Sequence, residues 1–272
     1  MKKDVVVGLG EIGLPIKELL SKKITVLGYD KNPNLINKSQ FKKLEKYKTE
    51  ILHICIPFNK NFLKNISRLE EKFKPEIIAI HSTVEPFTTQ KLQKKTSTPI
   101  IYTPLRGVHR RKNDKFQPHK KGILFDIKRY VKFYSVYSNT KNSTTAAKKF
   151  SARFKNCGLK TKKTSTPITL ELAKILCDTS YYGWLIAYAQ LTNTIASRYN
   201  VDYDEMWSFS EEIHKFLGNR PKLYPGIIGG HCVIPNLDLI NNHTLDLIKT
   251  MNTSYKKIIF KKKESRKNSW RK

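Results

Sequence analysis

The sequence predicts an α/β protein in which a doubly wound parallel sheet is followed by a mostly helical domain built on one long central helix. Three observations carry this. Strand and helix signals alternate from the first residues to about 163. A glycine-rich turn joins the first strand to the first helix. Beyond 164 the strand signals stop, and 168–199 is a helical pattern with no proline and a single glycine.

The elements follow in order. Val5, Val6 and Val7 form an apolar run of the kind found in parallel strands buried on both faces. Residues 14–20 then have helical spacing, and 24–29 is the second strand. The runs 51–57 (ILHICIP) and 77–81 (IIAIH) read as buried strands, and 100–102, 132–137 and a segment near Leu159 complete the sheet. A helix over 144–154 separates the last two. Helices are also expected over 202–216 and 237–250, with a Gly/Pro-rich loop over 218–230. The predicted division is 1–163 for the sheet domain, 164–255 for the helical domain and 256–272 for a basic tail without fixed structure.

The first turn carries chemistry. Gly8-Leu9-Gly10-Glu11-Ile12-Gly13 is G-x-G-x-x-G between a strand and a helix, the context that a dinucleotide fingerprint requires. Gly8 would make the turn, Gly10 would let the backbone approach a pyrophosphate, and Gly13 would allow close helix–strand packing. Glu11 and Ile12 lie within the turn. Asp30 ends the second strand, 22 residues after Gly8, where a carboxylate can accept hydrogen bonds from ribose hydroxyls. An acid there favours NAD over NADP, and the neighbouring Lys31 softens that preference. This is a Rossmann-type domain with NAD as its expected cofactor.

Composition sets limits. The chain has 272 residues, enough for one α/β domain and a smaller one. It contains no apolar run near 18 residues, so no transmembrane helix is expected. The start runs directly into the first strand, and no signal peptide is expected. Cys55, Cys157, Cys177 and Cys232 form no CxxC pair and no zinc spacing, which predicts a reducing, cytoplasmic setting and no metal site. The net charge of +30 comes mostly from Lys, with basic runs at 109–121 and 256–272. Arg and aromatic residues do not interleave in them as a nucleic-acid surface would require, so nucleic acid is not the expected partner.

Further motifs narrow the function. PGIIGGHCVIPN, 225–236, places Cys232 after the pair Gly229-Gly230 and His231. Glycines let a ligand approach a side chain closely, so the thiol there suits nucleophilic chemistry as well as a buried turn. Ser82-Thr83-Val84 ends a strand, followed by Pro86, and Thr103-Pro104-Leu105-Arg106 follows another. In the long helix, Glu171, Lys174 and Asp178 stand at i, i+3 and i+7, on one face of a regular helix.

Together these motifs resemble the UDP-glucose/GDP-mannose dehydrogenase family, and the GGHC form resembles its UDP-N-acetylhexosamine members. The chain departs from the family pattern in several places. Phe87 stands where a Gly is usual, Leu105 where an acid is usual, and Asp178 and Asn236 are exchanged relative to the family's Asn and Asp. Asp238 is a second candidate for the acid if the loop carries an inserted residue. The resemblance covers about residues 1–250, and family members continue into a third domain that helps to hold the nucleotide.

The resemblance implies NAD-dependent oxidation of a nucleotide-sugar C6 alcohol to the uronic acid, as in polysaccharide biosynthesis. Cys232 would carry the thiohemiacetal and thioester, Lys174 would stabilise the oxyanion, and Asp178 or Asn236 would orient water. Pro57, Ser82 and Thr83 are implied to contact the cofactor, and Arg106, Gly229, Gly230 and His231 the substrate. A homodimer built on the long helix is implied, as is a partner chain able to supply the third domain. Two alternatives are a two-electron β-hydroxyacid-type dehydrogenase and a non-catalytic NAD-binding paralogue with a basic interaction surface.

Overall fold

The computed structural model describes residues 1–107, 123–137, 141–216, 225–229 and 233–269. Contacts divide the chain into two compact units, Met1–Lys174 and Ile175–Lys272.

The first unit holds strands β1 (Lys2–Val7), β2 (Val26–Tyr29), β3 (Lys48–Ile54), β4 (Ile77–Ile80), β5 (Ile100–Tyr102), β6 (Lys132–Val136) and β7 (Thr161–Lys163). Its helices are α1 (Gly13–Ser21), α2 (Lys38–Leu44), α3 (Phe62–Phe73), α4 (Thr88–Gln93), α5 (Ile123–Arg129), α6 (Lys141–Asn156) and α7 (Pro167–Leu172). The strands form one sheet in the order β2-β1-β3-β4-β5-β6-β7. β1 to β5 are parallel, as expected, whereas β6 pairs antiparallel with β5, so β6 and β7 run against the rest.

Alternation along the strands builds two cores. Val6, Ile51, Ala79 and Ile101 face Ile16, Leu19 and Leu20 of α1 and Phe150 and Phe154 of α6. Val5, Leu52, Ile54, Ile78 and Ile80 face Phe62 and Ile66 of α3 and Leu92 of α4. Leu170 of α7 joins this second core, which puts α7 in the first unit and moves the division from the expected 163/164 to 174/175.

The chain goes from β1 outward to β2 and then returns to β3 on the other side of β1. The carboxyl ends of β1 and β3 therefore flank a topological switch point, where α/β sheets of this kind bind ligands.

After α7 the helix continues through a π-helical stretch, Ala173–Ser180, into α8 (Tyr181–Arg198). Then follow α9 (Tyr203–Ser208), α10 (Glu211–Phe216), α11 (Ile234–Leu237) and α12 (His243–Ser269). In the second unit Ala187 of α8 packs with Ile228, Val233, Leu237, Leu245 and Ile248. The tail expected to lack structure is helical as far as Ser269. Its Lys and Arg residues are good helix formers and continue a helix already fixed by packing. Among the described residues no helix is long and apolar enough to cross a membrane.

Candidate functional site

The three glycines of the first turn have different surroundings. Gly8 has φ +89°, and a Cβ there would come within 2.7 Å of the Cys55 carbonyl oxygen. A Cβ on Gly13 would lie 1.7 Å from the Gly8 carbonyl oxygen. These two are demanded by the turn and by the packing of α1. At Gly10 a Cβ would meet nothing within 4 Å. The fold therefore does not need Gly10, and the open space beside it leaves room for a ligand's approach at the N-terminus of α1.

Asp30 is half-buried at the end of β2. Its carboxylate accepts hydrogen bonds from the Leu9 amide at 2.7 Å and the Asn32 amide at 2.9 Å. It fixes the glycine-rich turn, and with about four acceptor positions on a carboxylate it keeps capacity for ribose hydroxyls. Lys31 beside it is exposed.

The other expected cofactor residues lie at the same edge of the sheet. Pro57 is exposed after β3, and Thr83 is half-buried after β4. Ser82 is buried, and its hydroxyl donates to the Ile56 carbonyl at 2.5 Å, tying the β3 and β4 loops together. Glu11 is exposed in the turn and Ile12 half-buried.

Arg106 donates to the Val131 carbonyl at 2.7 Å, and its guanidinium stands 4.7 Å from the centre of the Phe133 ring. Lys174 is half-buried at the end of the first unit. Its helical neighbour Glu171 is fully buried and does not share its setting. The Glu171 carboxylate accepts from the Phe87 amide at 2.6 Å, the Thr89 amide at 2.9 Å and the Thr89 hydroxyl at 2.7 Å. Glu171 is thus the cap of α4. The π-helical stretch starting at Ala173 replaces the regular i, i+3, i+7 face expected for Glu171, Lys174 and Asp178.

Asp178 belongs to the second unit, where it is half-buried. Asn236 is half-buried in α11, and Asp238 pairs with Lys249. Gly230, His231 and Cys232 lie outside the described residues. The segment before them, 225–229, is held by side chains of α8 and α12. Asn252 donates to the Ile228 carbonyl at 3.0 Å and accepts from the Ile228 amide at 2.8 Å. Gln190 donates to Gly226 O at 2.8 Å and Tyr255 to Pro225 O at 2.7 Å. Gly229 is exposed at the end of this braced segment.

Sequence reasoning missed a line of buried titratable groups across the sheet. Asp4, His53, His81 and Lys132 are each no more than 5% exposed. Polar letters inside otherwise apolar strands were the available signal. Cys55 lies beneath the glycine-rich turn, where burial pushes its thiol up to about 12 against the pull of Lys132, so it is inert as a nucleophile.

No family model matches this sequence, and no curated protein matches it. Solved structures do. The UDP-D-ManNAc dehydrogenase of Pyrococcus horikoshii superposes with a TM-score of 0.70 at 18% identity, covering 94% of this chain and 69% of that one. The UDP-N-acetyl-mannosamine dehydrogenase of Staphylococcus aureus gives 0.69 at 19%, covering 97% and 70%. The 3-hydroxyisobutyrate dehydrogenase of Mycobacterium tuberculosis gives 0.57 at 10%, covering 96% and 93%. This chain therefore spans about 70% of the length of the sugar-nucleotide enzymes and nearly all of the hydroxyacid enzyme. At these identities the likeness is one of architecture, and the chain has the Rossmann-type α/β fold that these dehydrogenases share.

Proposed function

We propose that this protein is an NAD-dependent dehydrogenase that oxidises the C6 alcohol of a nucleotide-linked sugar to the acid. The observation that carries the cofactor half is the contrast among the glycines: Gly8 and Gly13 are required by the fold, whereas Gly10 faces open space. The sugar-nucleotide half is supported by the GGHC motif and by likeness to two UDP-N-acetylmannosamine dehydrogenases.

Gly10 and the start of α1 would hold the pyrophosphate of NAD, and Asp30 the adenosine ribose. When bound, NAD supplies the acceptor for two successive hydrides. Cys232 holds the substrate carbon first as a thiohemiacetal and then as a thioester, which water cleaves to the acid. A thiolate suits both steps because it is a strong nucleophile and a good leaving group. Lys174 would stabilise the oxyanion, and Asp178 or Asn236 would orient the water. Arg106, Gly229, Gly230 and His231 would contact the substrate, with Arg106 leaving its stack on Phe133 to do so.

A homodimer through α8 belongs to this reading. Tyr181, Tyr188, Leu191, Ile195 and Tyr199 recur at helical spacing and are exposed, with Tyr199 at 72%. A second reading, a two-electron hydroxyacid dehydrogenase, is favoured by the near-complete mutual coverage with the 3-hydroxyisobutyrate enzyme.

Purified protein given NAD and a panel of UDP- and GDP-sugars tests the proposal. Two NADH per sugar, lost in Cys232→Ser while NAD still binds, is the expected result. One NADH per small hydroxyacid, unaffected by Cys232→Ser, would replace it with the second reading.

A further inference from the structure

Four titratable side chains from four strands or strand ends meet in one line inside the first unit. Asp4 is on β1, His53 on β3, His81 just past β4 and Lys132 at the start of β6. The Lys132 amine is 3.3 Å from His81 Nδ1, His81 Nε2 is 3.0 Å from His53 Nδ1, and His53 Nε2 is 3.4 Å from Asp4 Oδ2. Asp4 also forms an ion pair with Arg153 at 3.1 Å and accepts from the Ile51 amide at 3.3 Å. At the other end, Lys132 donates to the carbonyls of Thr103 at 2.8 Å and Pro104 at 3.3 Å.

Buried ionisable groups are costly unless each is paired and hydrogen-bonded. Here the count closes. An ammonium has three hydrogens, and Lys132 meets three acceptors: Thr103 O, Pro104 O and His81 Nδ1. If Lys132 donates to His81 Nδ1, the His81 proton sits on Nε2 and is donated to His53 Nδ1. The His53 proton then sits on Nε2 and is donated to Asp4. Three hydrogen bonds point the same way, from a cation at the carboxyl edge of the sheet to a carboxylate near its amino edge.

The carboxylate in this line is Asp4, at its far end, where it also pairs with Arg153. Arg106, from the segment being held, and Lys174, from the helix after α7, both act on Lys132 as like charges. The Cys55 thiol faces it from just past β3, and the Phe154 ring of α6 lies 5.8 Å from its amine. Burial, then these two cations, bring the amine down to about 7. Burial and the neighbouring Lys132 hold His81 well below its ordinary value, so its imidazole is neutral, as the chain requires.

We propose that Lys132 is a positioning residue for the segment 103–106, acting as an ammonium whose counter-charge on Asp4 reaches it through the imidazoles of His53 and His81. The segment carries Arg106, so the effect on substrate rests on the dehydrogenase reading, while the latch itself does not.

Nitrogen NMR of the full chain tests this without cofactor or substrate. In the wild type at pH 6.5, below the value of the Lys132 amine, both histidines should carry their proton on Nε2. A proton on Nδ1 of either reverses the chain and overturns the proposal. The Lys132 amine should titrate near neutrality, and in Asp4→Asn its midpoint should fall by about one pH unit, since opposite charges two imidazoles apart in a protein interior still interact by on the order of 1 kcal/mol. In Lys132→Met the Thr103 amide, which donates to Ile80 O at 2.9 Å, should lose roughly fivefold in exchange protection, the worth of one hydrogen bond. The Gly8 amide, bonded to Tyr29 O at 2.9 Å, should be unchanged. An unmoved midpoint in Asp4→Asn, or unchanged Thr103 protection, would refute the latch. Because the wild-type tautomers alone can overturn it, a variant that fails to fold does not shelter the idea. A protein without dehydrogenase activity would still give these signals.

Discussion

Phe87 begins α4 at φ +67°, and its amide donates to the Glu171 carboxylate at 2.6 Å. A left-handed backbone is unfavourable for any residue with a Cβ, more so for a bulky one. It persists here because Glu171, fully buried, also takes the Thr89 amide and hydroxyl, so the start of the helix is fixed from three directions. The Phe87 ring is 53% exposed and contributes little packing to set against this strain.

Phe87→Gly should therefore stabilise the protein, by about 1 kcal/mol, the order of the left-handed penalty. The glycine's extra freedom in the unfolded chain offsets part of that gain. Urea unfolding reads it directly. A lower midpoint would mean that the exposed ring makes a contact worth more than the backbone strain.

Gly10 and Gly13 should separate binding from folding. Gly13→Ala would drive a Cβ to within 1.7 Å of the Gly8 carbonyl oxygen, so α1 must move and stability should fall by several kcal/mol. Gly10→Ala meets no atom within 4 Å, so its melting temperature should be close to wild type while calorimetric affinity for NAD drops at least tenfold. Unaltered affinity in Gly10→Ala would remove the main support for the cofactor proposal.

The contrast between these glycines shows what was legible in the chain. The turn could be read from residues alone because glycine's role is local: backbone angle and closeness. The central strands could be read because they are buried on both faces and so are mostly apolar, as in β4, Ile77–Ile80. The direction of β6 could not, since it depends on how the chain returns after β5. Glu171 reads as part of a Glu–Lys–Asp stripe, yet its partners lie 82 to 84 residues away, and the π-helical stretch after it breaks the stripe. His53 and Asp4 stand out as polar letters in apolar strands, but only the strand order makes them neighbours. The surroundings of Cys232 remain a matter of motif, because 230–232 lie outside the described residues.

Asn252 should prove to be a brace for the loop that leads to Cys232. It is 3% exposed and exchanges two hydrogen bonds with the backbone of Ile228, while also accepting from Gln190 at 3.2 Å. Asn252→Leu leaves the Ile228 amide and carbonyl buried without partners, at a cost of about 2 to 4 kcal/mol. If the proposed chemistry holds, kcat should fall with it, because the segment before the thiol loses its anchor. A variant with wild-type stability would show that 225–229 is held chiefly by Tyr255 and Gln190.

Lys132 should leave a signature in the pH dependence of stability. Burial lowers its amine from the ordinary 10.5 to about 7 in the folded chain. Between those values the unfolded chain binds the proton and the native chain does not. Unfolding therefore takes up a proton, and stability must rise with pH across that window, by up to about 1.4 kcal/mol per pH unit. Below about 7 both states are charged and this contribution is flat. Lysines with raised values, such as Lys149 and Lys249, act in the opposite sense, but only as the pH approaches and passes 10.5. The buried Cys55 thiol, pushed up to about 12, also acts in the opposite sense once the unfolded thiol ionises. Lys3, lowered by burial, acts in the same sense as Lys132. In urea titrations at pH 7.5 to 9.5 it is therefore the difference from Lys132→Met that isolates the amine. Wild type should gain stability across this range relative to Lys132→Met, and the difference between the two should widen with pH. A constant difference would mean that the amine keeps its proton throughout, with its three acceptors outweighing burial.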